Sequence, residues 1–302
     1  MYRIAIGMPV WNGERFLSQA IESILGQTFS HFQLVISDNA STDATEEICR
    51  SYAEQDKRII YIRQPNNIGA APNHNFVFRQ SSGQYFKFAA HDDILAPRFI
   101  EECVRVLDAD EGAVLCSPAT VLINDDGSPV PYVDGKGMVD NSGRVWPVVP
   151  ESNSLLTSAD PAERFARVLL NMFMALEIFG LIRRSALERT SLMPSHAGGD
   201  KVLLAELALI GRFHLHDIAL FYRRCHAGQY SAAASGRYMA AWFSGKKGSM
   251  FSHQLRLLAA YIRVALSAEL TTEQRYRCLT AICRRSVTRG QPLRRMFVPL
   301  LE

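Results

Sequence analysis

The sequence contains no apolar run that could cross a membrane as a helix, because a span needs about 18 or more nearly uncharged residues. The longest candidate, residues 168–182, is short and is interrupted by Asn171 and Glu177. No cleavage site of small residues follows the apolar N-terminal segment, so we do not expect a secretory signal peptide. These absences predict a cytoplasmic protein.

Several nucleotide- and metal-binding motifs are also missing. The first predicted strand is not followed by G-x-G-x-x-G, and G-x-x-x-x-G-K-[ST] occurs nowhere in the chain. Both absences disfavour dinucleotide-binding and P-loop enzymes. The six cysteines form no C-x-x-C pair, so we expect reduced, mostly buried thiols, and the spacing of Cys278 and Cys283 is poor for zinc.

Apolar residues make up 48% of the 302 residues and charged residues 21%. This balance is that of a globular protein with a substantial core, and it excludes disordered, collagen-like and coiled-coil chains. The net charge of +3 hides an asymmetry, since residues 237–302 carry twelve Lys or Arg against three Glu. We therefore divide the chain into a domain at 1–236 and a basic helical extension at 237–302, which favours an anionic partner surface.

Short strand patterns alternate with helical periodicity through the first half of the chain. The strand patterns lie at residues 2–10, 32–37, 59–63, 85–89 and 113–117. This alternation predicts βαβ units and a mainly parallel sheet in an α/β fold. Residues 134–160 predict a long loop or hairpin insertion, and helical periodicity returns at 161–176, at 200–210 and after 238.

Polar residues follow the first, second and fourth of these strands. They lie at residues 9–14, 38–43 and 90–93. Ligands of parallel α/β sheets bind at the carboxyl ends of the strands. The sequence therefore predicts a polar, negatively charged site at one edge of the sheet.

Asp92 and Asp93 are adjacent acids directly after an apolar strand. Carboxylates are the hard oxygen ligands that Mg²⁺ and Mn²⁺ prefer, and such an ion can bridge a diphosphate and stabilise it as a leaving group. The alternative is that both acids only favour the N-terminus of a following helix. The residue pair alone does not decide between these interpretations.

Four further residues have both a chemical and a structural interpretation. Asp38 can accept the imide N–H of uracil or thymine, or form an Asx turn. Trp11 can offer a flat face to the base, or pack in the core. Asp200 can act as a general base at a sugar hydroxyl, or cap a helix. His226 can be a metal ligand, or a surface histidine.

Taken in order, these residues resemble the family 2 glycosyltransferases of GT-A type, over about residues 4–226. Two segments follow the first two strands: Pro9-Val10-Trp11-Asn12-Gly13-Glu14 matches the family pattern Pro-x-Tyr-Asn-x-x, and Asp38-Asn39-Ala40-Ser41-Thr42-Asp43 matches Asp-Asp-Gly-Ser-Thr-Asp. Asn66-Asn67-Ile68-Gly69, with Asn73 and Asn75, matches Asn-x-Gly and a following Asn, and Asp92-Asp93 matches Asp-x-Asp. Gly199-Asp200 matches Glu-Asp, and Tyr222-Arg223-Arg224-Cys225-His226 matches Tyr-Arg-x-His. Each motif is weak singly, and the six in the right order are a specific signal.

The sequence departs from the family pattern at four places. Ala90 replaces the first acid of Asp-x-Asp, and Gly199 replaces the Glu before the base. Trp11 replaces Tyr and keeps an aromatic face. One extra residue lies between Tyr222 and His226.

The resemblance implies a GT-A (Rossmann-like), mainly parallel central sheet flanked by helices, with a C-terminal helical extension. It implies an inverting transfer of sugar from a nucleotide-diphosphate sugar, with UDP or dTDP expected, to a saccharide or lipid-linked acceptor. Asp200 would be the catalytic base. A divalent cation, Mn²⁺ or Mg²⁺, would be held by Asp92, Asp93 and His226. The implied nucleotide-binding residues are Pro9, Trp11, Glu14, Asp38, Asn67 and Asp92.

Two other functions stay open on the sequence, a noncatalytic nucleotide-sugar-binding relative and a nucleotidyltransferase. No nucleic-acid partner is expected. In the extension, one helical face is apolar and arginines lie elsewhere on the helix, which fits peripheral docking to an anionic leaflet. A self-packing helical cap or a homodimer surface is the alternative. The residues of that face are Leu255, Leu258, Ala259, Ile262 and Leu266.

Overall fold

A computed structural model describes residues 2–134, 137–146, 156–172, 174–226 and 250–288. Eight strands form one sheet in the order β3-β2-β1-β4-β10-β6-β11-β5. The strands of this sheet are β1 (Ile4–Val10), β2 (Phe32–Asp38), β3 (Ile59–Arg63), β4 (Tyr85–Phe88), β5 (Ile94–Leu95), β6 (Ala113–Ile123), β10 (Leu181–Arg183) and β11 (Arg212–Arg224).

The first four strands confirm the predicted βαβ rhythm. β1 pairs in parallel with both β2 and β4, and β2 pairs in parallel with β3. All seven residues of β1 are buried, as expected for a parallel strand that is covered on both faces. The helices of this half are α1 (Leu17–Leu25), α2 (Thr45–Gln55), α3 (Ala70–Arg79) and α4 (Phe99–Ala109).

The second half of the sheet is mixed. β11 runs parallel to β6, whereas β10 is antiparallel to both of its neighbours, β4 and β6. Gly180 precedes β10, and a Cβ atom there would lie 2.5 Å from the carbonyl oxygen of Cys116. Only glycine therefore fits where the chain enters the sheet. The helices that follow β6 are α5 (Pro161–Asn171), a 3₁₀ turn (Leu176–Phe179), α6 (Arg184–Leu187) and α7 (Gly199–Ile210).

The predicted insertion is a small antiparallel sheet of β7 (Tyr132–Val133), β8 (Gly137–Val139) and β9 (Val145–Trp146). Trp146 is buried, and its Nε1 donates to Oδ2 of Asp140 over 2.8 Å. Trp146 therefore stabilises the insertion, and the hydrophobic periodicity of the sequence did not predict this role. Residues 147–155 lie outside the described part of the chain.

The core has two layers, one on each face of the large sheet. One layer includes Ile6 and Leu34 with α1 and α4, and the other includes Ala5 and Val35 with α3, α5 and α7. This division follows from the period of two along each strand. Five of the six cysteines are buried and all six are free thiols. This confirms the prediction of reduced, mostly buried thiols.

Two helices follow in the basic extension, α8 (Met250–Ser267) and α9 (Thr272–Thr288). They pack against α5 and α7 and contribute residues to the core layer on that face of the sheet. The predicted boundary between 236 and 237 lies outside the described residues. Within the described part of the chain, no helix has the length and hydropathy of a membrane span. The extension residues in this core are Ala260, Tyr261, Val264, Ala265, Cys278 and Ile282.

Substituting a buried residue of the extension should destabilise the whole protein. Ile282 is 3% exposed and lies in the shared core, so Ile282→Ala should cost about 2–4 kcal/mol of unfolding free energy. Ile262→Ala is the matched control, because Ile262 is 36% exposed, and it should cost less than about 1 kcal/mol. Urea unfolding followed by circular dichroism measures both. Equal effects, or a separate early transition for Ile282→Ala, would show that the extension does not share the core.

Candidate functional site

The parallel pairing of β1, β2 and β4 places their carboxyl ends at one edge of the sheet. Residues 11–14, 39–44 and 89–93 leave the sheet there. The predicted nucleotide-binding and metal-binding segments therefore lie at the same edge of the sheet. In the register of β1 and β2, for example, Val10 pairs with Asp38. Asp200 lies on a different element, in the first turn of α7.

The loop after β1 is bonded to the loop after β2. Asn12 has a positive φ of 51°; its N–H donates to Ser41 Oγ over 2.9 Å, and its Oδ1 accepts from Thr42 N over 2.9 Å. Glu14 Oε2 accepts from Ala44 N over 3.0 Å, directly before α2. The Glu14 carboxylate therefore stabilises the N-terminus of α2 and holds the two loops in register.

Asp38 is fully buried at the end of β2. Its Oδ1 accepts from Ser41 N over 2.8 Å, a bond to the residue three positions on, whereas the predicted Asx turn would bond the N–H two positions on. Its Oδ2 accepts from the Tyr61 hydroxyl over 2.9 Å and from Arg63 Nη1 over 3.0 Å. Burial, together with the hydrogen bond to Asp38, raises the pKa of Tyr61. The carboxylate is thus held in one orientation at the edge of the sheet.

Trp11 is 41% exposed at the end of β1. Its ring is therefore not a core residue, and the core-packing alternative is wrong. A half-exposed indole beside a polar strand edge leaves a face on which a nucleobase can stack. Pro9 lies one strand position before Val10 and is buried opposite Ser37.

Asn67 belongs to a turn that leads into α3. Its Oδ1 accepts from Gly69 N over 2.9 Å and from Asn39 Nδ2 over 3.0 Å. Asn39 Oδ1 in turn accepts from Ile68 N over 2.8 Å. Gly69 has a φ of +88°, which glycine adopts without strain. These amides join the loop after β2 to the start of α3.

Asp92 and Asp93 differ in their partners. Asp92 Oδ2 and His226 Nε2 lie 3.0 Å apart, and Asp93 Oδ1 accepts from Arg224 N over 2.9 Å. The histidine ring also packs on Phe16, with ring centroids 4.9 Å apart. His226 is therefore not a free surface histidine. The helix-terminus alternative for the two acids is wrong, because α4 begins at Phe99 and β5 lies between.

The pKa values of the two carboxyl groups shift in opposite directions. Burial and the charge of Asp92 raise the pKa of Asp93 to about 7. Burial acts on Asp92 too, but the hydrogen bond to His226 and the nearby cationic groups outweigh it and lower the pKa of Asp92. One acid of the pair thus keeps a negative charge under conditions where the other takes up a proton.

Arg224 is a residue whose importance the sequence pattern did not reveal. Its buried guanidinium donates from Nε to Asp92 O over 2.9 Å, from Nη1 to Asp125 O over 2.9 Å and from Nη2 to Gln19 Oε1 over 2.7 Å. It also lies over the ring of Phe16 at 4.5 Å. One side chain thus joins β11, the acidic loop, the turn after β6 and α1. The sequence pattern placed Arg224 within the segment that matches Tyr-Arg-x-His but assigned it no role.

The acidic edge fits a divalent cation in part. Among the residues that the structure describes, no group of three or more His, Cys, Asp or Glu side chains is placed to hold a metal ion. Asp92 and His226 are the paired donors, with Asp93 adjacent. Mg²⁺ and Mn²⁺ sites commonly use one or two carboxylates and complete their coordination with substrate phosphates. The donor set therefore suits an ion that arrives with a diphosphate.

Asp200 lies in the first turn of α7, and the N-cap position is Gly198 instead. Burial raises the pKa of the half-buried Asp200, although Lys201 opposes this shift by its charge and by its N–H, which donates to Oδ1 over 2.8 Å. Within the described residues, no hydrogen bond or ion pair joins Asp200 to Asp92 or Asp93. The base candidate is thus a separate group, and burial raises its pKa above the ordinary value of an aspartate.

Gly199 explains one departure from the family pattern. A Cβ atom at this position would lie 2.4 Å from the carbonyl oxygen of Pro194. A glutamate would therefore require the loop before α7 to move. The tight loop before α7 and the glycine at position 199 therefore occur together.

The mixed, mostly parallel sheet flanked by helices is a GT-A-like fold. The model of glycosyl transferase family 2 matches residues 5–189, and the chain belongs to this family. The match ends before α7, so Asp200 and His226 lie beyond it.

The curated relatives are partial matches. Glycosyltransferase GlyA of Streptococcus pneumoniae is 35% identical over 99 residues, which are 33% of this chain and 14% of that protein. GlyG of the same organism is 29% identical over 133 residues, 44% of each protein. The minor teichoic acid biosynthesis protein GgaB of Bacillus subtilis is 30% identical over 116 residues, 37% of this chain and 13% of that protein. The aligned regions thus span less than half of each relative.

Two solved structures are similar in fold. S. aureus TarS 1–349 in complex with UDP-GlcNAc has a TM-score of 0.68 at 16% identity, covering 95% of this chain and 73% of that chain. Mannosyltransferase PcManGT of Pyrobaculum calidifontis, in complex with GDP-Man and Mn²⁺, has a TM-score of 0.57 at 14% identity, covering 95% of this chain and 71% of that chain. At this identity the comparison establishes the fold.

Replacing Asp93 by Asn should stabilise the metal-free protein at high pH. The pKa of Asp93 is raised to about 7, well above the ordinary value of an aspartate, so between these two values the folded state holds a proton that the unfolded state releases. Its contribution to stability is present at low pH and is lost as pH rises toward 7 and above. In EDTA, Asp93→Asn should raise the melting temperature at pH 8 by at least about 2 °C and much less at pH 5.

Asp217→Asn, at an exposed carboxylate on β11, is the control and should show no such pH-dependent gain. Differential scanning calorimetry at both pH values measures the effect. An equal change in Asp93→Asn at pH 5 and pH 8 would contradict the raised pKa.

Proposed function

We propose that the protein is an inverting glycosyltransferase that moves a sugar from a UDP- or dTDP-linked donor to a hydroxyl of a saccharide or lipid-linked acceptor. The observation that carries the proposal is that β1, β2 and β4 end at one edge of the sheet, so that Trp11, Asp38 and the Asp92–His226 pair all lie at strand ends on that edge. Family membership supports transfer chemistry. The UDP-GlcNAc complex of TarS and the name of GgaB support a nucleotide-sugar donor and a role in polysaccharide synthesis.

The donor site uses three kinds of contact. The exposed ring of Trp11 stacks on the base, with Pro9 shaping the strand end beneath it. Asp38, held by Tyr61 and Arg63, accepts the imide N–H of the base. Glu14 and Asn67 keep the surrounding loops in place through their bonds to Ala44 and Gly69.

The diphosphate binds at the acidic pair. Asp92 and Asp93 hold the ribose and, with His226, a divalent cation that would stabilise negative charge on the leaving diphosphate. Arg224 keeps the acidic loop in position through its bonds to Asp92 O and to the Asp93 carboxylate. Because these side chains are held before the ligand arrives, little reorganisation is needed on binding.

Asp200 is the base of the proposed reaction. It takes the proton of the acceptor hydroxyl while that oxygen forms a bond to the anomeric carbon and the bond to the diphosphate breaks. The products are the glycosylated acceptor and the nucleoside diphosphate. A single carboxylate on the acceptor side suits inversion, because no enzyme nucleophile is required. Burial, which raises the pKa of Asp200, supports this role.

Ligand-induced thermal stabilisation tests the donor site. UDP or dTDP with Mn²⁺ or Mg²⁺ should raise the melting temperature, because a ligand at ~100 Kd stabilises the folded state by about 2.7 kcal/mol. GDP and CDP should have weaker effects. The shift should disappear with EDTA and in Asp93→Ala.

Three outcomes would contradict parts of this proposal. No shift with any of the four diphosphates would overturn the donor site. Binding without release of nucleoside diphosphate from the matching nucleotide sugar, with a saccharide acceptor present, would favour a noncatalytic relative. Consumption of a nucleoside triphosphate with pyrophosphate release would favour a nucleotidyltransferase.

The exposed face of α8 supports a peripheral membrane contact, on the cytosolic side. The opposite face of this helix is buried in the shared core, whereas Leu255, Ile262 and Leu266 are 41%, 36% and 55% exposed. The exposed Arg256 and Arg263 directly follow two of these residues, and α8 contains no acidic residue. An apolar stripe flanked by cations is complementary to an anionic bilayer. We propose that this face of α8, called the docking face below, binds an anionic lipid bilayer.

Vesicle flotation tests the docking face. The protein should float with phosphatidylglycerol vesicles and not with phosphatidylcholine vesicles, and Ile262→Ser with Leu266→Ser should abolish flotation. Tyr276→Ser is the control, because Tyr276 is 70% exposed on α9 but lies outside the stripe. If the wild type does not float and the double variant instead converts a dimer to a monomer in light scattering, the stripe is a homodimer surface and the membrane proposal is wrong.

A further inference from the structure

α3 is bonded to the donor side of the site at two places. Its first turn follows Gly69, whose N–H is held by Asn67. Further along, Asn73 Nδ2 donates to Ser37 O over 2.9 Å, and Asn73 Oδ1 accepts from Ser37 Oγ over 2.6 Å. Ser37 directly precedes Asp38 in β2. The helix is therefore fixed relative to the strand end that carries the proposed base-binding aspartate.

The same helix is bonded to the segment that leads to Asp200. Asn75 Nδ2 donates to Met193 O over 2.9 Å, and Asn75 Oδ1 accepts from Met193 N over 3.0 Å. The two residues are 118 positions apart in the sequence. One buried side-chain amide thus pairs with both backbone groups of a single residue. This arrangement fixes the orientation as well as the position of the chain at Met193.

The chain at Met193 needs such a restraint. Leu192 has a φ of 60°, a left-handed conformation that a leucine adopts only at a cost of about 1–3 kcal/mol. From Pro194 the chain turns tightly, with His196 N donating to Pro194 O over 2.8 Å and Gly199 N donating to His196 O over 3.0 Å. The direction in which the chain leaves Met193 therefore sets where α7 begins.

We propose that Asn75 is a positioning residue for the base Asp200. It couples the segment before α7 to α3, and through Asn73 to the strand that ends at Asp38. The base thus keeps its place relative to the bound nucleotide sugar. This proposal rests on the proposed function, because it assigns Asn75 a role in that reaction.

Two substitutions at Asn75 remove the restraint in different ways. Asn75→Leu removes both hydrogen bonds. Asn75→Asp keeps the acceptor for Met193 N but places a carboxylate against Met193 O. A protonated carboxyl can donate to that oxygen, so the rate of Asn75→Asp relative to the wild type should rise as pH falls from 8 to 5, whereas the relative rate of Asn75→Leu should not.

The kinetic test uses UDP-GlcNAc as the donor probe, a saccharide acceptor and release of UDP as the readout, with Mn²⁺ present. Asn75→Leu should lower kcat by about 10-fold or more, since a small displacement of a catalytic group can cost about 10²-fold. KM for UDP-GlcNAc and Kd for UDP should stay within about twofold, because a positioning role for the base does not involve donor affinity. An unchanged kcat, or a loss carried mainly by KM, would overturn the proposal.

Arg164→Met is the matched control for a general loss of packing around α7. Arg164 is buried on α5, and its Nε donates to Ala208 O over 2.7 Å, near the opposite end of α7. The control should lower the melting temperature while kcat stays within about twofold. A loss of kcat equal to that of Asn75→Leu would mean that loosening of α7 accounts for both, and the proposal would be overturned.

Hydrogen exchange supplies a readout that does not depend on activity. In Asn75→Leu without ligand, amide exchange should accelerate in a peptide covering residues 191–200 and stay unchanged in one covering 37–45. No acceleration at 191–200 would overturn the proposal. Asp200→Asn separates this failure from that of the proposed function: it should keep UDP binding and lose about 10²-fold or more in kcat, and full activity in that variant would instead reject Asp200 as the base.

Discussion

The buried guanidinium of Arg224 is the interaction on which the candidate site depends. A charged group is stable in a protein interior only when it is paired and its hydrogen bonds are satisfied. The hydrogen bonds of Arg224 are satisfied by Asp92 O, Asp125 O and Gln19, and its charge is compensated by the nearby carboxylates of Asp92, Asp93 and Asp125. The dependence is mutual, because the buried Asp93 and the half-buried Asp92 are stabilised by a cation close by. The turns that follow β4 and β6 are therefore held at the end of β11.

Asparagine side chains also join separate segments of the chain, through uncharged hydrogen bonds. Asn39 and Asn67 join the loop after β2 to the start of α3, and Asn73 and Asn75 fix that helix on two sides. A side-chain amide both donates and accepts, so it can replace a pair of backbone partners at a place where strands and helices end. Neutral hydrogen bonds thus order the link between the loop after β2 and α3, whereas the charged groups of Glu14, Asp38 and Arg224 hold the other loops at this edge of the sheet.

Much of the fold was predictable because its signals are local. The alternation of apolar strands with helical periodicity predicted the parallel half of the sheet, and the apolar face at Leu255, Ile262 and Leu266 was identified as one side of a helix. Other features were not predictable, since they depend on distant partners. β10 lies antiparallel between β4 and β6, with Gly180 packed closely against Cys116 O, and Trp146 of the insertion packs with the distant residues Leu122 and Cys225.

The residue types at the strand ends, and with them the chemistry predicted for the site, follow from the amino-acid sequence, because a motif is a local property of the chain. Only the tertiary structure decided which interpretation of each residue holds. It placed Trp11 at the surface, moved the cap of α7 from Asp200 to Gly198, and made Arg224 and Asn75 the links between segments. The reason is physical: burial and hydrogen bonding between residues more than a hundred positions apart exist only once the chain has folded.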